Sequence, residues 1–206
     1  MNIKTIHIHF SFCLYLLITL YGGLLKESFF FLTCLIIHEV GHLIMIGLTR
    51  NKIKKINLTG LGFFIDLKTN HIKFKHKVLI YSGGLIASAI FQLFLSLKGS
   101  HQIFVFNTFI LLVNLLPIAP LDGYNLLYTL LTLLYEDEYL NDVFLLIGTL
   151  IICLLIIFFI FFQYSFILVL IVFLAYKNYK RYVENKQFTN AYKILKFKSK
   201  YWMDLA

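Results

Sequence analysis

Apolar runs long enough to cross a bilayer fill most of this chain, and that restricts its fold more than any other feature. A spanning helix needs about 20 mostly apolar residues, and candidate runs lie at 11–25, 28–48, 78–97, 103–121, 143–162 and 164–177. The last two are separated only by Gln163, Tyr164 and Ser165. Together they are too long for one span, so they read as a helical hairpin. Composition agrees: 60% of the residues are hydrophobic and 14% charged, where a soluble domain has about half and about a quarter. The expected fold is an all-α polytopic membrane protein with about six transmembrane helices over 1–177, followed by a basic, aromatic tail over 178–206. An integral membrane location follows. The first apolar run leads straight into the second without a small-residue cleavage site, so no cleavable signal peptide is expected.

A net charge of +9 raises the question of nucleic acid, and the placement of the charges answers it. Arg50, Lys52, Lys54, Lys55, Lys68, Lys73, Lys75 and Lys77 share one loop, and Lys177, Lys180, Arg181, Lys186, Lys193, Lys196, Lys198 and Lys200 share the C-terminal end. With Lys4, these lie on one side of the membrane if the N-terminus is inside, and only Lys26 and Lys98 lie opposite. Basic loops stay in the cytoplasm, which puts both termini there. Such clusters also hold anionic headgroups. No nucleic-acid-binding motif accompanies the charge, so nucleic acid is excluded as a partner.

The 49–77 loop is more than a linker. Lys52 to Leu67 is β-branched and partly alternating, with Gly60 and Gly62 near its middle; this predicts a small membrane-associated β-hairpin. Cys13, Cys34 and Cys153 fall inside apolar runs with no pairing pattern and read as small apolar residues. His71, His76 and His101 read as solvated, and His7 and His9 as contacts to headgroups or to a partner. The Gly83–Gly84 pair reads as a point of close helix approach.

Only Glu39 and Asp122 place acidic groups within the apolar spans, where an ionisable side chain costs a few kcal/mol and is by default functional. Glu39 belongs to His38-Glu39-Val40-Gly41-His42. Residues four apart share a helix face, so both imidazoles can reach one ion, and zinc accepts such nitrogens. Glu39, next to the first histidine, is placed to take a proton from water at that ion. A random chain of this composition would contain such a motif roughly 0.6% of the time, so accident is a poor explanation.

A catalytic zinc needs a third protein ligand. The segment Asn114-Leu115-Leu116-Pro117-Ile118-Ala119-Pro120-Leu121-Asp122-Gly123 offers one in Asp122. Its two prolines break a helix, and broken helices at membrane depth occur where they line a cavity. Taken alone, Asp122 also reads as a helix N-cap.

Together the two motifs resemble the site-2 protease family of intramembrane metalloproteases, whose pattern is His-Glu-x-x-His in one helix and Asn-x-x-Pro-x-x-x-x-Asp-Gly in a later one. Every fixed position matches. Ile6-His7-Ile8-His9-Phe10, the stretch from Val113 to Gly123 and the basic aromatic tail are most similar to the stage IV sporulation branch. The resemblance implies a zinc metalloendopeptidase holding one Zn²⁺ per chain through His38, His42 and Asp122, with Glu39 as catalytic base. It implies Asn114, Pro117, Pro120 and Gly123 as substrate-positioning residues. The implied substrate is the membrane-associated pro-sequence of a sporulation sigma factor, the implied partners are inhibitory membrane proteins, and the implied location is the outer forespore membrane. Relatives in that branch carry a C-terminal nucleotide-sensing domain, for which this chain leaves no room before Ala206, and there is no inserted PDZ module. The alternatives are a generic PDZ-less protease of the family with another substrate and, from a different class, a non-catalytic zinc-binding scaffold or transporter. A transporter would need polar groups on several spans, and a dead scaffold would have no use for Glu39.

Overall fold

The computed structural model describes residues 6–8, 10–59, 62–67, 72–162, 171–184 and 186. The order of elements is β1 (Ile6–Ile8), α1 (Phe10–Tyr21), α2 (Leu25–Leu48), β2 (Ile53–Thr59), β3 (Gly62–Leu67), α3 (Phe74–Lys98), α4 (His101–Leu115), α5 (Asp122–Leu131) and α6 (Asp137–Phe162). A further helix, α7, covers 171–184. The chain divides into two compact units, Met1–Leu116 and Pro117–Ala206.

Three helices among the described residues are long and apolar enough to cross a bilayer: Leu25–Leu48, Phe74–Lys98 and Tyr139–Ile157 within α6. Leu93, Phe94, Leu146, Leu150 and Leu154 on these helices are exposed, as lipid-facing side chains should be. The chain is an integral membrane protein. Two of the expected spans are shorter than their apolar runs. α1 stops at Tyr21, where a turn with Gly23 at a φ of +67° leads into α2. α4 stops at Leu115 because Leu116 precedes a proline and is extended, with ψ at 137°; the proline ring disfavours helical geometry in the residue before it. The hairpin expected around 163–165 and the tail beyond 186 lie outside the described residues.

In the first unit α2 packs on α3 and α4. Its buried residues Ser28, Phe31, Cys34, Leu35, His38, Gly41, His42 and Ile46 recur at three- and four-residue steps and form one stripe. The α2–α3 crossing is tight at Gly41 and Gly83: a methyl group on Gly83 would stand 2.7 Å from the Gly41 carbonyl oxygen. Small residues let membrane helices approach this closely.

Beside the ends of these helices lies a three-stranded sheet in the order β1-β2-β3, with β1 parallel to β2 and β2 antiparallel to β3. Ile53 and Ile56 are both buried, against Ile46 of α2 and Ile80 of α3. Three residues apart, they would face opposite sides of a regular strand; the register shift between Ile53 and Lys55 turns both inward. The sheet therefore rests one helical turn from His42. The strand β1 was not expected from sequence, and His7 within it is exposed.

The second unit holds α5, α6 and α7. Its core is Ala119, Tyr124, Leu140 and Phe144, with Tyr124 edge-on to Phe144 at 5.0 Å between centroids. The Arg181 guanidinium of α7 lies 3.9 Å above the Tyr124 ring and donates a 2.6 Å hydrogen bond to Asn141 Oδ1. Burial lowers its pKa to about 10, so it remains a cation at neutral pH.

Candidate metal centre

The α2 stripe carries His38 and His42 into the packed interior, where they are 2% and 8% exposed. Burying two imidazoles in an apolar bundle is costly unless their nitrogens are satisfied. His42 Nδ1 lies 2.7 Å from the Ile80 carbonyl oxygen. A carbonyl only accepts, so Nδ1 carries the proton and Nε2 presents a lone pair. His38 Nδ1 lies 3.0 Å from Ser88 Oγ, an atom that can accept as well as donate.

The outward-facing Nε2 atoms of the two rings are 3.3 Å apart. Two nitrogens bound to one tetrahedral zinc, each at about 2.0–2.1 Å, stand about 3.3–3.4 Å from each other. The pair therefore has the spacing of two ligands on one ion. The backbone in front of them is trimmed to match: a methyl group on Gly84 of α3 would stand 2.6 Å from His38 Nε2 and closer still to His42 Nε2. Space beside both Nε2 atoms exists because position 84 lacks a side chain. The residues fit a zinc ion. Gly83 makes the helix approach expected of the pair, while Gly84 leaves room beside the two imidazoles.

Glu39 follows His38 on α2 and is half-buried. Asn114 lies in the last turn of α4 and donates one N–H to the Ile110 carbonyl at 3.0 Å, which leaves its other N–H and its carbonyl oxygen for another partner. In the second unit, Pro117 and Pro120 lie in the turn before α5, the Ala119–Pro120 peptide is cis, and Asn125 Nδ2 ties back to the Pro120 carbonyl at 3.1 Å. Asp122 is the first residue of α5, where the helix dipole favours a carboxylate. Gly123 follows it, buried.

Sequence reasoning missed Ser88, Asn107 and Gln92. Asn107 Nδ2 donates to the Ser88 carbonyl at 2.9 Å and also to Gln92 Oε1. Gln92 Nε2 donates to Thr108 Oγ1 at 2.6 Å. The available signal was three amide or hydroxyl side chains within otherwise apolar spans, with Asn107 seven residues before Asn114 and so on the same face of α4.

Among solved structures, the site-2 protease from Methanocaldococcus jannaschii is similar to this chain, with a TM-score of 0.64 over 88% of this chain and 93% of that one, at 18% sequence identity. The chain has the site-2 protease fold. No protein-family model matches the sequence, and no curated protein matches it. At this identity the likeness shows the fold alone.

Proposed function

We propose that this chain is an intramembrane zinc metalloprotease. The observation that carries the reading is the His38–His42 pair, buried in a membrane helix with its Nε2 atoms at the spacing of zinc ligands and with Glu39 beside it. Asp122 is the third ligand in this proposal. Two imidazole nitrogens and a carboxylate oxygen make a donor set that suits zinc, and the fourth position is left for chemistry.

When bound, zinc supplies a Lewis acid that polarises the scissile carbonyl and acidifies water. Glu39 accepts the proton of the attacking water and delivers it to the departing amine nitrogen. The free N–H of Asn114 donates to the substrate carbonyl oxygen as negative charge grows there. Pro117, Pro120 and Gly123 shape the turn that presents Asp122 and the substrate backbone. A helical substrate hides its carbonyls and must be extended before cleavage. The small sheet, resting at the membrane surface one turn from His42, would extend it by pairing with the incoming strand.

Within this reading the substrate is the membrane-associated pro-sequence of a sporulation sigma factor, and the chain works in the outer forespore membrane under inhibitory membrane partners. The support is the likeness of Ile6 to Phe10 and of Val113 to Gly123 to the sporulation branch. Both termini face the cytoplasm, supported by the basic residues of the 49–77 loop and the C-terminal end, which also hold anionic lipid. Co-expression with a sigma-factor pro-sequence tests this: a shortened product should appear with the wild-type chain. An intact precursor, alongside cleavage of some other membrane protein, would reject the substrate and keep the protease.

A further inference from the structure

Asn107 is 0% exposed, and its Oδ1 is a buried side-chain polar atom without a hydrogen-bond partner. A carbonyl oxygen left unmade in an apolar interior costs about 1–3 kcal/mol, so it calls for an explanation. Its Nδ2 is fully engaged, by the Ser88 carbonyl and by Gln92 Oε1. The same Ser88 meets His38 Nδ1 through its hydroxyl at 3.0 Å.

The two facts connect through the single ring proton of His38. Two tautomers are open to His38: one would carry the proton on Nε2, facing His42 Nε2 across 3.3 Å, with the Ser88 hydroxyl donating to Nδ1. A metal held by both Nε2 lone pairs would require the other tautomer, with the His38 proton on Nδ1. Ser88 Oγ must then accept, and its own hydroxyl proton needs a new acceptor. We propose that Asn107 Oδ1 is that acceptor, reached through one buried water, so that Ser88 and Asn107 are positioning residues that set the metal-binding tautomer of His38. The proton count is unchanged: one ring proton changes nitrogen and one hydroxyl rotates. Gln92 and Thr108 hold the Asn107 amide in place. Outer partners of this kind fix ring orientation and are typically worth 10–100-fold in metal affinity.

This inference rests on His38 being a metal ligand, and the test separates the two. The zinc dissociation constant of the full chain in detergent micelles would be measured by chelator competition for wild type, His38→Ala, Ser88→Ala, Ser88→Thr and Asn107→Leu. The histidine nitrogen shifts of the wild type would be followed by NMR through a zinc titration. Ser88→Ala and Asn107→Leu should each bind zinc 10–100-fold more weakly, and Ser88→Thr, which keeps the hydroxyl, should recover most of the affinity. The wild-type His38 proton should pass from Nε2 to Nδ1 as zinc is added. Zinc binding by His38→Ala at wild-type strength would reject the metal site itself. Loss of zinc in His38→Ala with unchanged affinity in Ser88→Ala and Asn107→Leu would reject the relay alone. Should either variant fail to fold, a His38 proton that stays on Nε2 in the zinc-loaded wild type overturns the proposal.

Discussion

Gly84 of α3 faces His38 of α2 so closely that a methyl group on its Cα would stand 2.6 Å from His38 Nε2. Real Cβ atoms do not approach this near, and both rings are held from behind by Ser88 and by the Ile80 carbonyl. Gly84→Ala should therefore turn the imidazoles away from a shared ion and lower zinc affinity at least tenfold. Chelator competition on the purified variant checks this. Gly83→Ala should act differently: its methyl would meet the Gly41 carbonyl, and the resulting overpacking should cost about 1–3 kcal/mol of stability.

Asp122→Ala should leave two histidines, too few for a stable site, and reduce bound zinc well below one equivalent. Asp122→Glu keeps the carboxylate and should retain part of it. Elemental analysis of the purified variants decides the matter. One tightly held equivalent in Asp122→Ala would place the third ligand elsewhere.

The Arg181 guanidinium over Tyr124 joins α7 to α5, two residues after Asp122. A partly desolvated contact of this kind contributes about 1–2 kcal/mol. Arg181→Lys keeps the charge but not the planar stack or the fork that reaches Asn141, so it should recover little of what Arg181→Ala loses. Since the pKa of Arg181 stays near 10, the loss should be the same on either side of neutral pH. Thermal unfolding in detergent at several pH values measures both points.

In the proposed topology the basic residues that flank α2 and α3 on the side of the 49–77 loop keep Asn51 inside and leave Ser100 outside. With single cysteines at these positions and the native three removed, an impermeant thiol reagent on intact cells should label position 100 and spare position 51. The reverse pattern would invert the topology and deny a cytoplasmic substrate access to the site.

Much of this was legible in the sequence because it is local. His38 and His42 share a face by helical spacing, and Pro117 and Pro120 announce the break before Asp122. What could not be read depends on which helices pack together. Ser88 and Asn107 are ordinary small polar residues until α3 and α4 bring them behind His38. Gly84 looks like its neighbour Gly83 until the crossing of α2 on α3 turns one toward a backbone carbonyl and the other toward the imidazoles. The strand β1 is three residues long and exists only because β2 pairs with it. The end of α4 at Leu115 was implied by Pro117, but the largely apolar run through Leu121 concealed it.

Glu39 is proposed to move the proton in a zinc-dependent peptide cleavage. Glu39→Gln changes an oxygen to an amide nitrogen and leaves every metal ligand in place, so the most direct measurement pairs zinc content with cleavage in that one variant. One equivalent of zinc, as in the wild type, is expected, with a loss of about 10²–10⁴-fold in the rate at which a membrane-tethered substrate is shortened. Wild-type cleavage by zinc-loaded Glu39→Gln would contradict it.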